Sequence, residues 1–291
     1  MRTSTGNRTA IGATALLAVC LAAPARAQKL EDLAPLNEKS SQAIEAGDFA
    51  SAARYAQEAL DLGEKVLPAN DPRLAVLATN AGLLLARTES WDPASAAYTK
   101  AVAITEQADG KDSPRLLELL QQLALCQARG RRFAEAFVTG ERVLDLTREK
   151  HGDGSPEVAD ASAGLAVVAL QDKHPKRADR LLRTALSIYR ETKGEQAIEV
   201  ARTYLGLGFV QFQLQQPASG SDYLRKAGKV FENVPDGHPE KLAMLEQRVQ
   251  LLKNLGQPED PEVLEQLERN RLAAPAFKAQ QSDGKPGVGA N

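Results

Sequence analysis

Residues 151–160, "HGDGSPEVAD", combine a histidine with carboxylates and glycines, a composition that also occurs in metal sites and hydrolase loops. A calcium loop of the EF-hand type needs alternating oxygen ligands and a glutamate at its twelfth position. Counted from Asp153, the twelfth residue is Gly164, which supplies no side-chain ligand. The stretch is better explained as a linker between two predicted helices, because Ser155 is a good N-cap and Pro156 suits the first helical position.

No other set of reactive side chains predicts chemistry. The histidines, His151, His174 and His238, are far apart, and the chain has neither a His-x-x-x-His nor a Cys-x-x-Cys motif. Phosphate-binding loops, dinucleotide-binding glycine motifs and the G-x-S-x-G nucleophile motif are also missing. Cys126 lies in the leucine-rich segment "LLELLQQLALCQA" and is predicted to be a buried apolar residue. We therefore expect a protein that is not an enzyme and needs no metal or cofactor.

Residues 1–27 have the pattern of a cleaved secretory signal peptide. Arg2 and Arg8 precede the apolar run "IGATALLAVCLAA", and "ARA" at 25–27 supplies small residues before Gln28. A lipid anchor on Cys20 is the alternative, but Val19 fits poorly where a small residue is expected. Cleavage after Ala27 would lower the formal net charge from −2 to −5. The signal style and the alanine-rich composition favour a periplasmic or secreted bacterial protein.

The composition favours packed helices over a sheet. Aromatic residues make up 4% of the chain and hydrophobic residues 43%, so packing must rest on alanine and leucine. The slightly acidic net charge argues against a general nucleic-acid binder.

A period of 42 residues organises the chain. "DPRL" begins at 71, "SPRL" at 113 and "SPEV" at 155, and "AIEV" follows one further period on, at 197. Within each period, apolar residues recur twice at helical spacing, with a short turn between the two helices. Phe49, Trp91, Phe133, Pro175 and Pro217 are predicted to begin the second helix of successive pairs.

Small residues recur at fixed positions in these helices. Two columns lie in the second helices and one in the first, where small side chains would let helix backbones approach closely. A helix pair cannot bury its own apolar faces, so neighbouring pairs must stack into a solenoid. The columns are Ala52, Ala94, Ala136, Ala178 and Gly220; Ala59, Ala101, Val143, Ala185 and Ala227; and Gly82, Ala124, Ala166 and Gly208.

At these columns the chain resembles the tetratricopeptide repeat family over residues 31–255, and the period is similar to that of kinesin light chains. The resemblance implies an all-α, right-handed superhelical solenoid of stacked antiparallel helix pairs. The repeats and a capping helix would occupy residues 28–273, and residues 274–291 are predicted to be a disordered tail. Gly220 and Gly228 are expected to loosen the second helix of the fifth repeat.

The resemblance also implies a binding surface on the concave side, formed by the first helix of each pair. A non-catalytic scaffold would bind a peptide or partner protein there. Polar residues that interrupt the apolar pattern of the first helices are the candidate contacts. They are Thr79, Asn80, Arg87, Gln121, Gln122, Arg129, Gln171, Arg202 and Gln213, with Glu118 and Asp160 on the same helices.

The basic turns inside the repeats are the alternative binding surface. They would form a rim for an acidic partner, or an edge used by a structural subunit of a cell-envelope assembly. The simpler explanation of these basic residues is that turns are exposed to solvent and commonly charged, without binding any ligand. The rim residues are Arg131, Arg132, Lys173, Lys176 and Arg177.

Overall fold

The computed structural model describes residues 31–254, 256 and 261–283, and all regular structure in these ranges is α-helical. The predicted signal peptide at residues 1–27 lies outside the described residues. The chain divides into two compact units, one ending at Thr139 and the other beginning at Gly140. Each unit is described by itself.

Both units are built of consecutive helices that pack against their neighbours in the chain. The first unit contains α1 (Leu33–Glu45), α2 (Phe49–Val66), α3 (Pro72–Arg87), α4 (Trp91–Asp109) and α5 (Leu116–Arg129). The boundary between the units lies within α6 (Phe133–His151). The second unit contains α7 (Pro156–Gln171), α8 (Pro175–Lys193), α9 (Ile198–Gln213), α10 (Pro217–Phe231), α11 (Pro239–Asn254) and α12 (Pro261–Asp283).

The predicted helix starts are confirmed, with one shift. The second helices of the pairs, α2, α4, α6, α8 and α10, begin at the predicted residues. Asp71 and Ser155 cap α3 and α7 through their side chains. Ser113 accepts a hydrogen bond from the Arg115 amide at 3.3 Å, but α5 begins only at Leu116. The intervening residues form tight turns, in which the Leu116 amide bonds to the Ser113 carbonyl.

Five first helices, α1, α3, α5, α7 and α9, end in the same turn. In each, one residue adopts the left-handed conformation, and the next amide donates to a carbonyl five residues earlier, which is the Schellman arrangement. The left-handed residue recurs every 42 positions. These residues are Gly47, Glu89, Arg131, Lys173 and Gln215, with φ between 58° and 75°.

The small-residue columns of the second helices are buried, as predicted. In the first helices, a Cβ added at Gly82 would lie 2.9 Å from the Tyr98 ring, and one at Gly208 would lie 2.9 Å from Leu224. A larger residue would force these neighbours apart.

Gly220 and Gly228, which the sequence predicts to loosen the fifth repeat, do not interrupt its second helix. Helix α10 is continuous from Pro217 to Phe231. The Phe212 ring lies 2.8 Å from the position that a Cβ of Gly220 would occupy, and Arg248 lies 2.9 Å from that of Gly228. The glycines are therefore sites of close packing, which offsets their low helix propensity.

Helix α12 extends to Asp283, so the first ten residues of the predicted tail, 274–283, are helical. It continues through Pro275, which removes one backbone donor. Tertiary contacts support the extension, since the Phe277 ring lies edge-on to His238 with centroids 5.3 Å apart. In the described residues, no helix is both long enough and apolar enough to cross a bilayer.

Candidate interaction groove

An open pocket of about 390 Å³ lies between the first helices α3 and α5, with residues of α4 completing its wall. We call it the α3–α5 pocket. Its wall is mostly apolar and includes Val76, Leu83, Ile104 and Leu119. A mostly apolar wall with a few polar groups is the composition expected of a ligand-binding pocket.

A second pocket, of about 380 Å³, lies between α1 and α3, and we call it the α1–α3 pocket. Ile44 and Leu77 contribute to its apolar wall, and Ser40 and Ser41 to its polar part. Asn80 and Leu83 line both pockets. The side chains of α3 therefore form a ridge that separates two adjacent pockets in the first unit.

Leu83 belongs to a column of large apolar side chains that water can reach. The equivalent positions of successive first helices are occupied by Leu83, Leu125, Val167 and Phe209, each 42 residues after the last. They are 56%, 47%, 54% and 37% exposed. Single exposed leucines are common, but the same exposure recurs at one repeat position in each unit, at Leu83 and Leu125 in the first and at Val167 and Phe209 in the second. The sequence pattern did not single out this column, because apolar residues at helical spacing are normally core residues; the 42-residue period marks the four positions as equivalent but does not show that they are exposed.

The predicted groove residues of the first unit are not all brought together. Thr79, Asn80 and Gln122 line the α3–α5 pocket. The Thr79 hydroxyl donates to the Ala75 carbonyl at 2.7 Å, so its proton is already bound within α3. Gln121 is exposed but lines neither pocket.

The two arginines predicted for the groove lie at the ends of their helices. The Arg87 guanidinium is 3.9 Å from the centroid of the Phe49 ring, in a cation–π contact with the start of α2. Arg129 is the last residue of α5 and is exposed. Neither lines the two pockets.

In the second unit, the predicted groove residues are also on the first helices. Gln171 and Gln213 are exposed at the ends of α7 and α9, and Arg202 lies 3.9 Å from Glu240. Asp160 accepts a hydrogen bond from the Tyr189 hydroxyl at 2.5 Å. Burial and this hydrogen bond raise the pKa of Tyr189 above its usual value.

The rim residues differ in their surroundings. Arg131 and Lys173 occupy the left-handed position of their turns, and both are exposed. Lys176 and Arg177 are exposed in the first turn of α8. Arg132 is only partly exposed, because its guanidinium pairs with Asp92 and Glu135, each at 3.3 Å, and hydrogen-bonds to Ser95.

The residues considered for chemistry lie apart from one another. Cys126 is buried, and burial raises the pKa of its thiol, which keeps it protonated. His151 lies 3.9 Å from Glu157, and His174 lies 3.1 Å from Asp172. Within the described residues, no three histidine, cysteine, aspartate or glutamate side chains cluster in a way that could hold a metal ion.

Paired helices with Schellman turns and buried small-residue columns define an all-α repeat protein. The sequence model of the tetratricopeptide repeat matches residues 73–149 and, in an overlapping second match, residues 115–191. Residues 73–191 therefore consist of tetratricopeptide repeats.

Solved structures show the same fold. A protein described as a kinesin light chain of P. anserina, built of nearly identical TPR-like repeats, superposes with a TM-score of 0.57 at 15% identity, covering 68% of this chain and 94% of that one. BtubC (BKLC) from P. vanneervenii gives 0.54 at 19% identity, over 72% and 89% of the two chains. The apo form of RapI gives 0.55 at 14% identity, over 77% and 81%. Among curated protein sequences, none matches the chain significantly.

Proposed function

We propose that the protein is a non-catalytic interaction scaffold that binds a partner protein along its first helices. The observation that carries the proposal is the exposed apolar column Leu83, Leu125, Val167 and Phe209. Keeping such side chains in water has no benefit for the folded protein by itself. A partner that covers them would gain about 0.5–1.5 kcal/mol for each side chain, because only about half of each is still exposed.

The repeat architecture supports this proposal, because it presents the same recognition position several times. In the first unit, two pockets adjoin at Leu83 and Asn80, and an apolar side chain could enter each. The Asn80 amide, which is exposed, could hydrogen-bond the backbone of a bound chain.

We also propose that the scaffold acts after export, in the periplasm or outside the cell. The support is the N-terminal sequence, with its two early arginines, short apolar run and "ARA" before Gln28.

A capture experiment tests the scaffold function. The purified protein, immobilised, is mixed with cell-envelope extract, and retained proteins are quantified by mass spectrometry. We expect the double variant Leu83→Ser, Leu125→Ser to retain at least tenfold less of the specific partner, because both apolar contacts are lost. Val138→Ser is the matched control, since Val138 is 67% exposed but lies on α6, outside the column.

Two outcomes would contradict a groove function. Capture that survives the double variant unchanged would show that the column is not the binding surface. Loss of capture in Lys173→Ala, Lys176→Ala instead would place the partner on the basic rim. Circular dichroism of each variant checks that the helices remain intact.

A further inference from the structure

The α3–α5 pocket carries one carboxylate that the protein does not neutralise. Three charged residues line it: Asp109, Arg115 and Glu118. Arg115 pairs with Asp109 through a contact of 3.0 Å between Nη1 and Oδ2. Glu118 is exposed, and among the described residues it has no hydrogen bond or ion pair. A cation brought into this pocket would therefore find Glu118 available.

The neighbouring α1–α3 pocket has a different character. Its lining contains no charged residue; its polar groups are Asn37, Ser40, Ser41 and the shared Asn80. Across the first unit, the order is therefore the uncharged α1–α3 pocket, the ridge of α3 side chains, the apolar part of the α3–α5 pocket and then the Glu118 carboxylate. A ligand that matches this order would carry its positive charge at one end of an apolar segment.

The spacing of the sites sets the conformation of such a ligand. Neighbouring packed helices are about 8–10 Å apart, so the two pockets should be separated by a similar distance. In a polyproline II segment, side chains three residues apart lie on one face and are about 9 Å apart. Its backbone has no internal hydrogen bonds, so its polar groups are free to pair with the Asn80 amide on the ridge.

We propose that the first unit binds an extended, polyproline-II-like segment of a partner protein that carries two apolar side chains three residues apart and a lysine or arginine beyond the second. The apolar side chains occupy the α1–α3 and α3–α5 pockets, and the cation pairs with Glu118. This inference rests on the proposed scaffold function and specifies the partner's chemistry. It departs from the acidic partner that the basic turns suggest in the sequence.

Fluorescence anisotropy of labelled peptides against the full chain tests the proposal. The probe has two leucines separated by two prolines, followed by proline, serine and lysine, and is made in both chain directions. Companion probes replace the lysine with glutamate, or both leucines with serine. We expect the lysine probe to bind about two- to fivefold more tightly than the glutamate probe, the range of an exposed ion pair, and the preference to shrink as salt is added.

Glu118→Gln should remove the preference for lysine without weakening the binding of the glutamate probe. Glu141→Gln is the matched control, because Glu141 is exposed on α6 and lines neither pocket, so the preference should persist. Equal binding of lysine and glutamate probes to the native protein would overturn the role of Glu118 and leave the scaffold function standing.

Two further outcomes would overturn the apolar part of the proposal. One is a serine probe that binds as tightly as the leucine probes. The other is a helical probe with leucines seven residues apart that binds when the proline-containing probe does not, which would replace the extended segment with a helix. The scaffold function is tested separately: it would be contradicted if the Leu83→Ser, Leu125→Ser variant captured the partner as well as the native protein does.

Discussion

Single residues in the left-handed conformation close the turn after each of five first helices. Gly47 occupies this position after α1, but Glu89 occupies it after α3 with φ of 58°. An L-residue in this conformation costs about 1–2 kcal/mol, because its Cβ approaches the backbone. The Schellman hydrogen bonds around the turn hold the strained residue in place.

We expect Glu89→Gly to raise the free energy of unfolding by about 1 kcal/mol, since relief of backbone strain exceeds the added entropy of the unfolded chain. The reciprocal variant, Gly47→Ala, should lower it by a similar amount. A Cβ at Gly47 has no atom within 4 Å, so its effect reports the backbone alone. Urea denaturation measures both changes, and destabilisation by Glu89→Gly would contradict the assigned conformation.

The buried phenol of Tyr98 is the second residue-scale feature. Burial raises its pKa from 10 to about 12, because the low-polarity surroundings disfavour the phenolate. The neutral form is thus favoured in the folded state. Its contribution to stability is fully present below pH 10 and is lost as the pH rises towards about 12.

The Tyr98→Phe variant should therefore lose less stability than the native protein between pH 10 and pH 12. Urea midpoints measured across this range, each referred to the same protein at pH 8, give the difference. Identical curves for the native protein and Tyr98→Phe would show that Tyr98 does not titrate in this way.

At the scale of elements, a buried polar cluster attaches α12 to the linker that precedes α11. Asn270 is fully buried; its side chain accepts from the Gly237 amide at 3.0 Å and donates to Asp236 at 3.2 Å. Lys241 donates to Asp236 and to the Val234 carbonyl, both at 2.7 Å, and lowers the pKa of Asp236. Because the Asn270 side chain and Gly237 are buried, loss of one group leaves its partners unsatisfied.

We expect Asn270→Ala to destabilise α12 by about 1–3 kcal/mol, the cost of leaving buried polar groups without partners. Hydrogen exchange followed by mass spectrometry should show faster exchange in residues 261–283. Glu265→Ala, at an exposed position of the same helix, is the control. If exchange in α12 is the same in both variants, other contacts attach the helix.

At the scale of the whole molecule, the proposed export would remove the first 27 residues as a signal peptide. We expect the exported protein to begin at Gln28, because "ARA" presents small side chains at the positions that signal peptidase reads. Intact-mass analysis of protein recovered from the periplasm or medium measures the N-terminus. A lipidated chain that begins at Cys20 would contradict this prediction and would show that a lipid anchors the exported protein to the membrane.

The sequence alone determined the features that depend on short-range chemistry and on repetition. Proline and the capping residues mark the helix starts, and the 42-residue period assigns equivalent positions such as Ala136 and Ala178, both fully buried. These assignments succeed because a cap involves neighbours in the chain, and because a repeated packing position needs the same small residue each time.

Only the tertiary structure decided which faces of the helices remain open. Helical phase puts Asn80 and Gln121 among the polar positions of the first helices, yet only Asn80 lines a pocket. Arg87 is drawn to Phe49, a residue of the preceding pair. Leu83 has the apolar character of a core residue, but its neighbours leave it exposed. Exposure depends on where the side chains of adjacent helices end, and no single helix records that in its own sequence.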